Sequence, residues 1–325
     1  MTQLQITAFG GPSVLMLTPA PAQPAGAGQV RVRTCFAGVN PIDAKTRAGI
    51  GWAAAQNKDQ LPWTPGYDVS GVVEVVGPGC TALVAGDLVC GMVGFPLTAG
   101  GYGASVVAGE SELVKLDGVS LQQGAALPLA GLTAWQGLLE HGALQRGQRV
   151  LILAGAGGVG HLAVQFARAH GAEVVVTASP DNHDFLHGLG ASWMVDYHDA
   201  NWPAAVVAEA GQVDLVLDLV GGESGKAALA CVKQGGRLVT VPTITAQQIK
   251  DAGAAAGIEV VGMLVHPDPQ QLGQMLMLLR QGTVQVTVAA EFALAEGALA
   301  HQTIEGGHVR GKLLLRMPAA DGYPA

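Results

Sequence analysis

The sequence predicts an α/β protein in which a doubly wound parallel sheet is inserted into an all-β barrel, and three observations predict it. From Val150 onward, short apolar runs alternate with helical stretches, as a sheet covered on both faces requires. A glycine-rich turn joins the first of these strands to the first helix. Residues up to about Lys115 instead carry glycine, β-branched residues and turn signals without helical periodicity. The chain ends on an apolar strand, Gly311 to Arg316, with no partner nearby in sequence, so it is expected to return to the first domain. Residues 1–121 and 267–325 then form the barrel domain, and residues 122–266 the doubly wound one.

Composition supports two domains and excludes several classes. A length of 325 residues with 49% hydrophobic residues supplies two cores. The 17 Lys and Arg are scattered and outnumbered by 25 acids, which argues against a nucleic-acid surface. The N-terminus lacks the basic-then-apolar pattern of a signal peptide, and no uninterrupted apolar segment is long enough to span a bilayer; a cytoplasmic protein is expected. Cys35, Cys80, Cys90 and Cys231 are dispersed, without C-x-x-C spacing, and read as buried reduced thiols rather than a zinc cluster.

In chain order, the barrel strands are expected at Gln29 to Phe36, Val69 to Val76, Asp87 to Met92 and Tyr102 to Ala108, separated by turn signals such as Gly77-Pro78-Gly79. Gln122 to Leu129 and Ala134 to His141 have helical composition. The parallel strands follow at Val150 to Leu153, Val174 to Thr177, Met194 to Asp196, Leu215 to Leu219, Leu238 to Val241 and Val260 to Val265, with a last helix at Gln270 to Gln281.

Gly155-Ala156-Gly157-Gly158-Val159-Gly160 carries G-x-G-x-x-G spacing between the strand ending at Leu153 and a helix with Leu162, Ala163, Phe166 and Ala167 on one face. In a chain with 47 glycines the spacing alone is weak, but it lies inside a complete βαβ unit, since Ala172 to Ser179 supplies the second strand. Gly155 is expected to permit the turn, Gly157 to admit a pyrophosphate and Gly160 to let helix and strand pack closely. That is a Rossmann dinucleotide site.

These residues, together with Asn40 to Gly49, Leu61-Pro62-Trp63-Thr64-Pro65-Gly66-Tyr67-Asp68, Ala130 to Ala134, Asp218-Leu219-Val220-Gly221-Gly222 and Gly307 to Lys312, resemble the zinc-independent medium-chain dehydrogenase/reductases, in particular the NADPH quinone oxidoreductase group that includes zeta-crystallin. The resemblance covers nearly the whole chain. It implies a GroES-like barrel, a Rossmann NADP-binding domain with a cleft between them, and a homodimer. Zinc-dependent relatives carry a cysteine where this chain has Asn40 and Gly-His-Glu where it has Gly66-Tyr67-Asp68. Neither Asn40 nor Tyr67 is a good zinc ligand, so no metal is expected.

The cofactor expected is NADPH. An NAD-selective site places an acid about twenty residues past the first glycine, and here that place holds Ala178-Ser179-Pro180. Ser179 can donate to a 2′-phosphate; His183 lies where similar proteins carry a lysine, and Tyr197 aligns with a tyrosine that resembling enzymes use on that phosphate. Against this, Asp181 is close and no Arg or Lys lies between Arg168 and Lys226.

The resemblance further implies Asn40 and Thr133 near the nicotinamide and Val220, Val241 and Pro242 holding it through backbone groups at the carboxyl ends of parallel strands. Trp52, in the segment Gly51 to Gln60 read as loose, is expected to wall the acceptor site, whereas Trp63 reads equally as barrel packing. Tyr67 and Lys312 are expected to touch the cleft. Asp43 and Arg47, four apart, read as a structural pair across a helical turn. His141, His161, His170 and His187 read as solvated or helix-end residues.

The activity so implied is hydride transfer from NADPH to a quinone or similar conjugated acceptor. The alternatives are reduction of an α,β-unsaturated carbonyl, as an enone, alkenal or enoyl thioester, and a non-catalytic NADPH-binding role in sensing, structure or RNA binding.

Overall fold

The computed structural model describes residues 1–322, so the last three residues of the second barrel segment lie outside the described residues. Contacts divide the chain into two units: Met1–Leu132 with His266–Gly282 and Val286–Ala325, and Thr133–Val265 with Thr283–Gln285. Residues 122–132, expected in the second domain, fall in the first unit.

The first unit begins with a ribbon of β1 (Thr2–Gln5) and β2 (Met16–Pro19). Its main sheet is built on β3 (Gln29–Val39), which pairs with β4 (Asp68–Val76) along most of its length; β5 (Leu88–Met92), β6 (Ser105–Gly109) and β7 (Leu113–Lys115) follow. The opposite edge of β3 is shared. Its first half, Gln29 to Arg33, pairs with β6, and its second half is left for another strand. Val30, Val32, Val69, Val73, Val89 and Val106 alternate inward along these strands and close one core, the period-two pattern that the valine-rich sequence encodes.

This half was expected to lack helices, and the structure corrects that. Helix α1 (Pro41–Arg47) and helix α2 (Gly51–Asn57) each span only seven residues, too few turns to register as periodicity. Pro41 starts α1 at a position where no N–H is needed, and the Asp43 carboxylate accepts the Asn40 N–H at 2.9 Å. The segment read as loose is therefore mostly α2. Helices α3 (Leu121–Ala126) and α4 (Pro128–Trp135) lead out of this unit.

The second unit is a six-stranded parallel sheet of β8 (Arg149–Ile152), β9 (Glu173–Thr177), β10 (Trp193–Val195), β11 (Val213–Asp218), β12 (Val232–Thr240) and β13 (Glu259–Gly262). Their order is β10-β9-β8-β11-β12-β13, with the direction of winding reversing between β8 and β11. Helices α5 (Gly160–Ala169), α6 (His183–Leu189), α7 (Trp202–Ala210), α8 (Gly222–Ala228) and α9 (Ala246–Ala256) connect the strands. Leu151, Val175, Val216 and Leu238 are buried in one cluster with Trp202, Val206 and Ile249.

The chain then returns to the first unit. Helix α10 (Pro269–Arg280) is capped by Asp268, whose carboxylate accepts the N–H groups of Gln270 and Gln271 at 2.9 Å. Strand β14 (Val288–Ala293), not anticipated from sequence, and helix α11 (Gly297–Glu305) precede β15 (Lys312–Arg316). As expected for a strand without a local partner, β15 pairs with the second half of β3, Phe36 to Val39, and carries β14 on its other side. Among the described residues no helix is long and apolar enough to cross a membrane.

Leu151 lies at the centre of the parallel sheet with no exposed surface. Leu151→Ala is expected to lower stability by about 2–5 kcal/mol, read as a lower denaturant midpoint of the second unit's transition.

Candidate active site

The turn between β8 and α5 shows why each glycine is there. A Cβ on Gly160 would lie 2.3 Å from the Ala154 carbonyl oxygen, and one on Gly155 would lie 2.9 Å from Val176. Both positions are closed by packing. The left-handed residue of the turn is Ala154, with φ 55°, not Gly155 as the spacing suggested. The Ala154 and Gly155 N–H groups donate to Thr177 Oγ1 and Thr177 O, which ties the turn to the end of β9. Gly157 differs from its neighbours: a side chain there would meet only the Ala154 oxygen, at 3.4 Å. The backbone is thus open on that side at the helix start, which fits a diphosphate. His161, read from sequence as solvated or helix-end, is fully buried, with Nδ1 3.0 Å from the Gly157 oxygen.

At the end of β9, Ser179 opens a short turn over Pro180–Asn182, and Asn182 Nδ2 donates to Ser179 Oγ at 2.9 Å. His183 Nε2 donates to the Ala178 oxygen at 3.3 Å. At the end of β10, Tyr197 is 41% exposed and its ring lies 4.2 Å from that of His198. His198 also binds Asp196 Oδ1 through its backbone N–H at 3.0 Å and its ring Nδ1 at 2.7 Å, contacts that hold the Asp196 carboxyl below the usual range.

Val220 follows the carboxyl end of β11 with its side chain half exposed, and Val241 and Pro242 follow β12. The Asp218 carboxylate, fully buried, accepts the N–H groups of Val220 and Gly221 and the hydroxyl of Thr240. Thr133 lies inside α4 and is buried.

The first unit holds a buried polar network that sequence reasoning did not assemble. Lys312 is 3% exposed; its ammonium donates to Asn40 Oδ1 and to the Val39 oxygen and lies 3.6 Å from Asp68 Oδ2. Asn40, 1% exposed, gives an amide hydrogen to Asp68 Oδ2 at 2.8 Å, and Asp68 Oδ1 accepts the Leu129 N–H at 2.7 Å. Lys312 therefore does not offer its ammonium to a ligand, and the Asn40 amide is largely occupied within the protein. Burial pushes the Asp68 carboxyl up and the Lys312 ammonium down, each opposed by the other's charge.

Asp43 lies in the same network and does not pair with Arg47. Its carboxyl accepts from Asn40 N, from Gly66 N at 3.2 Å and from Tyr102 Oη at 3.3 Å, and Tyr102 Oη in turn lies 3.2 Å from His301 Nε2. Arg47 instead reaches Glu305 and the Gly10 oxygen. Burial raises Asp43 to about 7 and lowers His301 to about 3. Tyr102 and His301 carried no signal in the sequence, being scattered polar residues outside any motif.

Trp63 is 4% exposed and donates Nε1–H to the Leu97 oxygen, so it packs the barrel. Trp52, on α2, is half-buried and meets Phe95 edge-on at 6.3 Å; Phe95 meets Tyr67 at 5.1 Å. Tyr67 is fully buried with Oη donating to the Pro96 oxygen. A 480 Å³ cavity of this unit is lined by neutral groups such as Gln3, Gln5, Gln56 and Asn57, and by none of the sequence-predicted site residues. Among the described residues no three His, Cys, Asp or Glu side chains cluster as a metal site.

A dinucleotide cradle in a doubly wound sheet, interrupting a mixed β domain in sequence, defines a nicotinamide-dependent oxidoreductase. Residues 26–126 match the alcohol dehydrogenase GroES-like domain family, and residues 189–315 the zinc-binding dehydrogenase family. The chain is 31% identical to a quinone oxidoreductase of Pseudomonas aeruginosa, over 96% of this chain and 98% of that one. Among solved structures it is similar to the quinone oxidoreductase from Coxiella burnetii, with 38% identity, TM-score 0.93 and coverage of 97% and 99%. It is also similar to the CurK enoyl reductase, with 26% identity, TM-score 0.87 and coverage of 98% and 99%, and to a mycobacterial protein complexed with NADPH, with 28% identity, TM-score 0.83 and coverage of 97% and 99%. The chain belongs to the medium-chain dehydrogenase/reductase superfamily, in its quinone oxidoreductase group, and is an enzyme.

Asp43 gives a stability prediction with a definite sign. Its folded value, raised to about 7 from 3.8, means that the unfolded chain releases this proton first as pH rises. The stability Asp43 contributes is therefore complete below about pH 4 and lost as pH climbs through 7. Asp43→Asn does not titrate, so the gap in thermal midpoint between wild type and D43N is expected to narrow from pH 5.5 to pH 8. His301 is present in both proteins and cancels from the comparison.

Proposed function

We propose that the protein is a zinc-independent, NADPH-dependent reductase of quinones and similar conjugated acceptors. The observation that carries the zinc-free reading is the Lys312 ammonium bonded to Asn40 Oδ1 and lying 3.6 Å from Asp68 Oδ2. Two positions that zinc-dependent relatives use around their metal here surround a cation of the protein's own. Neither an amide oxygen bonded to lysine nor a phenol bonded to the Pro96 oxygen is available as a thiolate or imidazole would be.

When bound, NADPH supplies the hydride; the chain's own residues bind, orient and exclude water. The open backbone at Gly157 receives the diphosphate. Ser179, His183 and Tyr197 receive the 2′-phosphate, supported by the lack of an acid at the end of β9 that would repel it. Backbone groups of Val220, Val241 and Pro242 orient the nicotinamide, Thr133 lies beside it, and Trp52 offers an aromatic wall to a flat acceptor. Asn40 and Lys312, bonded to one another, act as a fixed polar support within the first unit. A quinone reduced this way takes its proton from solvent and needs no strong acid from the protein. The similarity to an enoyl reductase keeps reduction of an α,β-unsaturated carbonyl as the second reading.

The test is NADPH oxidation by purified protein stripped of metal, against 9,10-phenanthrenequinone, 1,4-benzoquinone and a short enone, each repeated with NADH. Turnover of a quinone with NADPH preferred is expected, and Ser179→Asp should reverse the preference. Activity that returns only when zinc is added would overturn the zinc-free reading, and turnover of the enone alone would replace the quinone reading with the second one. Trp52→Ala is expected to raise KM for the quinone roughly three- to tenfold while leaving KM for NADPH unchanged.

A further inference from the structure

Two neighbouring turns of the second unit gather imidazoles and carboxylates without a fixed cation. Strands β9 and β10 pair in parallel, so the turns after them lie side by side. The first carries Ser179, Asp181, Asn182 and His183, and the second Asp196, Tyr197, His198 and Asp199. The Asp196 carboxyl is held below its usual range chiefly by the backbone N–H of His198, and further by the His198 and His183 rings, so both imidazoles stand close to it. Asp184 and His187 follow on α6, and Glu209 stands in the last turn of α7. Lys and Arg are absent from positions 169–225. Arg168 lies against Gly190 at the far end of α6, and Lys226 pairs with Glu223 on α8.

The hydrogen bonds of the two rings fix which nitrogen carries the proton. A carbonyl oxygen and an ionised carboxylate only accept, so a ring nitrogen that meets one must donate. His183 Nε2 meets the Ala178 oxygen at 3.3 Å, and His198 Nδ1 meets Asp196 Oδ1 at 2.7 Å. In the neutral imidazole the other nitrogen, Nδ1 of His183 and Nε2 of His198, then holds only a lone pair. A lone pair repels the oxygens of a phosphate dianion, which are acceptors too. Uptake of one proton turns each of these nitrogens into a charged donor and leaves the bond that anchors the ring in place.

We propose that His183 and His198 are proton-gated donors to the 2′-phosphate, so that the preference for NADPH over NADH fades as pH rises. This rests on the reading that Ser179, His183 and Tyr197 receive that phosphate, and it adds a further residue, His198, and a regulation of the same site. Histidine is the side chain whose ordinary ionisation falls in the physiological range. On the acid side of that range two imidazolium ions offset the carboxylates of Asp181, Asp184, Asp196 and Asp199. On the alkaline side those carboxylates are left to repel a dianion. The phosphate regains its own proton at about pH 6, which sets the lower limit of the effect. NADH has a free 2′-hydroxyl instead and binds alike on both sides.

The test is calorimetric binding of NADP⁺ and NAD⁺ to the full chain between about pH 6.5 and pH 8.5. The affinity ratio in favour of NADP⁺ is expected to rise about tenfold from the alkaline to the acid end, the worth of one charge-assisted hydrogen bond, while the NAD⁺ affinity stays level. Repeating the titrations at about pH 7.5 in two buffers of different ionisation enthalpy should show more protons taken up with NADP⁺ than with NAD⁺. Asp43, which titrates in the same range, acts on both dinucleotides and cancels from the ratio. His183→Asn combined with His198→Asn should make the ratio level against pH, and His183→Lys, whose charge persists, should hold it high at the alkaline end. Binding of NAD⁺ reports that each variant is folded. An NADP⁺ preference that stays level with pH in wild type, or proton release on NADP⁺ binding, would overturn the proton gate and leave the NADPH reading standing. A slope unchanged in His198→Asn alone would overturn the part given to His198. Wild type that does not prefer NADP⁺ even at the acid end would overturn the NADPH reading itself.

Discussion

The bond between the Lys312 ammonium and Asn40 Oδ1 is the constraint on which the first unit depends. Removing an ammonium from water costs several kcal/mol unless its donors are met. Here the acceptors come from the end of β3 and from β4, while the lysine comes from β15 at the other end of the chain. Asp68 extends the link to the Leu129 N–H at the start of α4. With Asp43 holding its proton below about pH 7, the network around Asn40 sets one cation, Lys312, against one anion, Asp68, while the buried Arg47 is met separately by Glu305. A large polar cluster is thereby tolerated in an interior built mostly of valine.

This arrangement separates support from binding. In the second unit the groups proposed to meet the cofactor are largely main-chain ones, at Gly157 and at the turns after β11 and β12, and buried side chains such as Thr177 and Asp218 hold those turns in place. In the first unit the polar side chains of the Asn40 network are turned on one another, whereas Trp52 and Phe95, packed edge-on over the buried Tyr67, keep partly exposed surface. Such a division suits chemistry that resides in the cofactor, where the protein has to orient and dehydrate more than to exchange protons.

Much of this was legible in the sequence where a local pattern encodes it. The six parallel strands appear as apolar runs, and the return of β15 follows from a strand with nothing beside it. Helices α1 and α2 were not legible as helices, since two turns are too short for a 3.6 period to show. The roles of Gly155 and Gly160 depend on distances to Val176 and Ala154 that spacing alone does not contain. Lys312 and Asn40 were each singled out, but as ligand-facing groups; that they satisfy one another is a contact across 272 positions and leaves no mark in either neighbourhood. Tyr102 and His301 illustrate the same limit, being linked only through the fold.

The split edge of β3 has a consequence for biosynthesis. Residues 29–33 find β6 within the same stretch of nascent chain, whereas residues 36–39 wait for β15. While residues 133–265 emerge and form their own sheet, that half-strand keeps an unsatisfied edge, and Asn40 and Asp68 lie beside it without their cation. Domains generally fold as units in the order they are made, but this one cannot close until β15 has been made. Its vulnerability to edge-to-edge association is therefore a matter of elongation time, and a pause late in the message falls on the strand that ends the exposure.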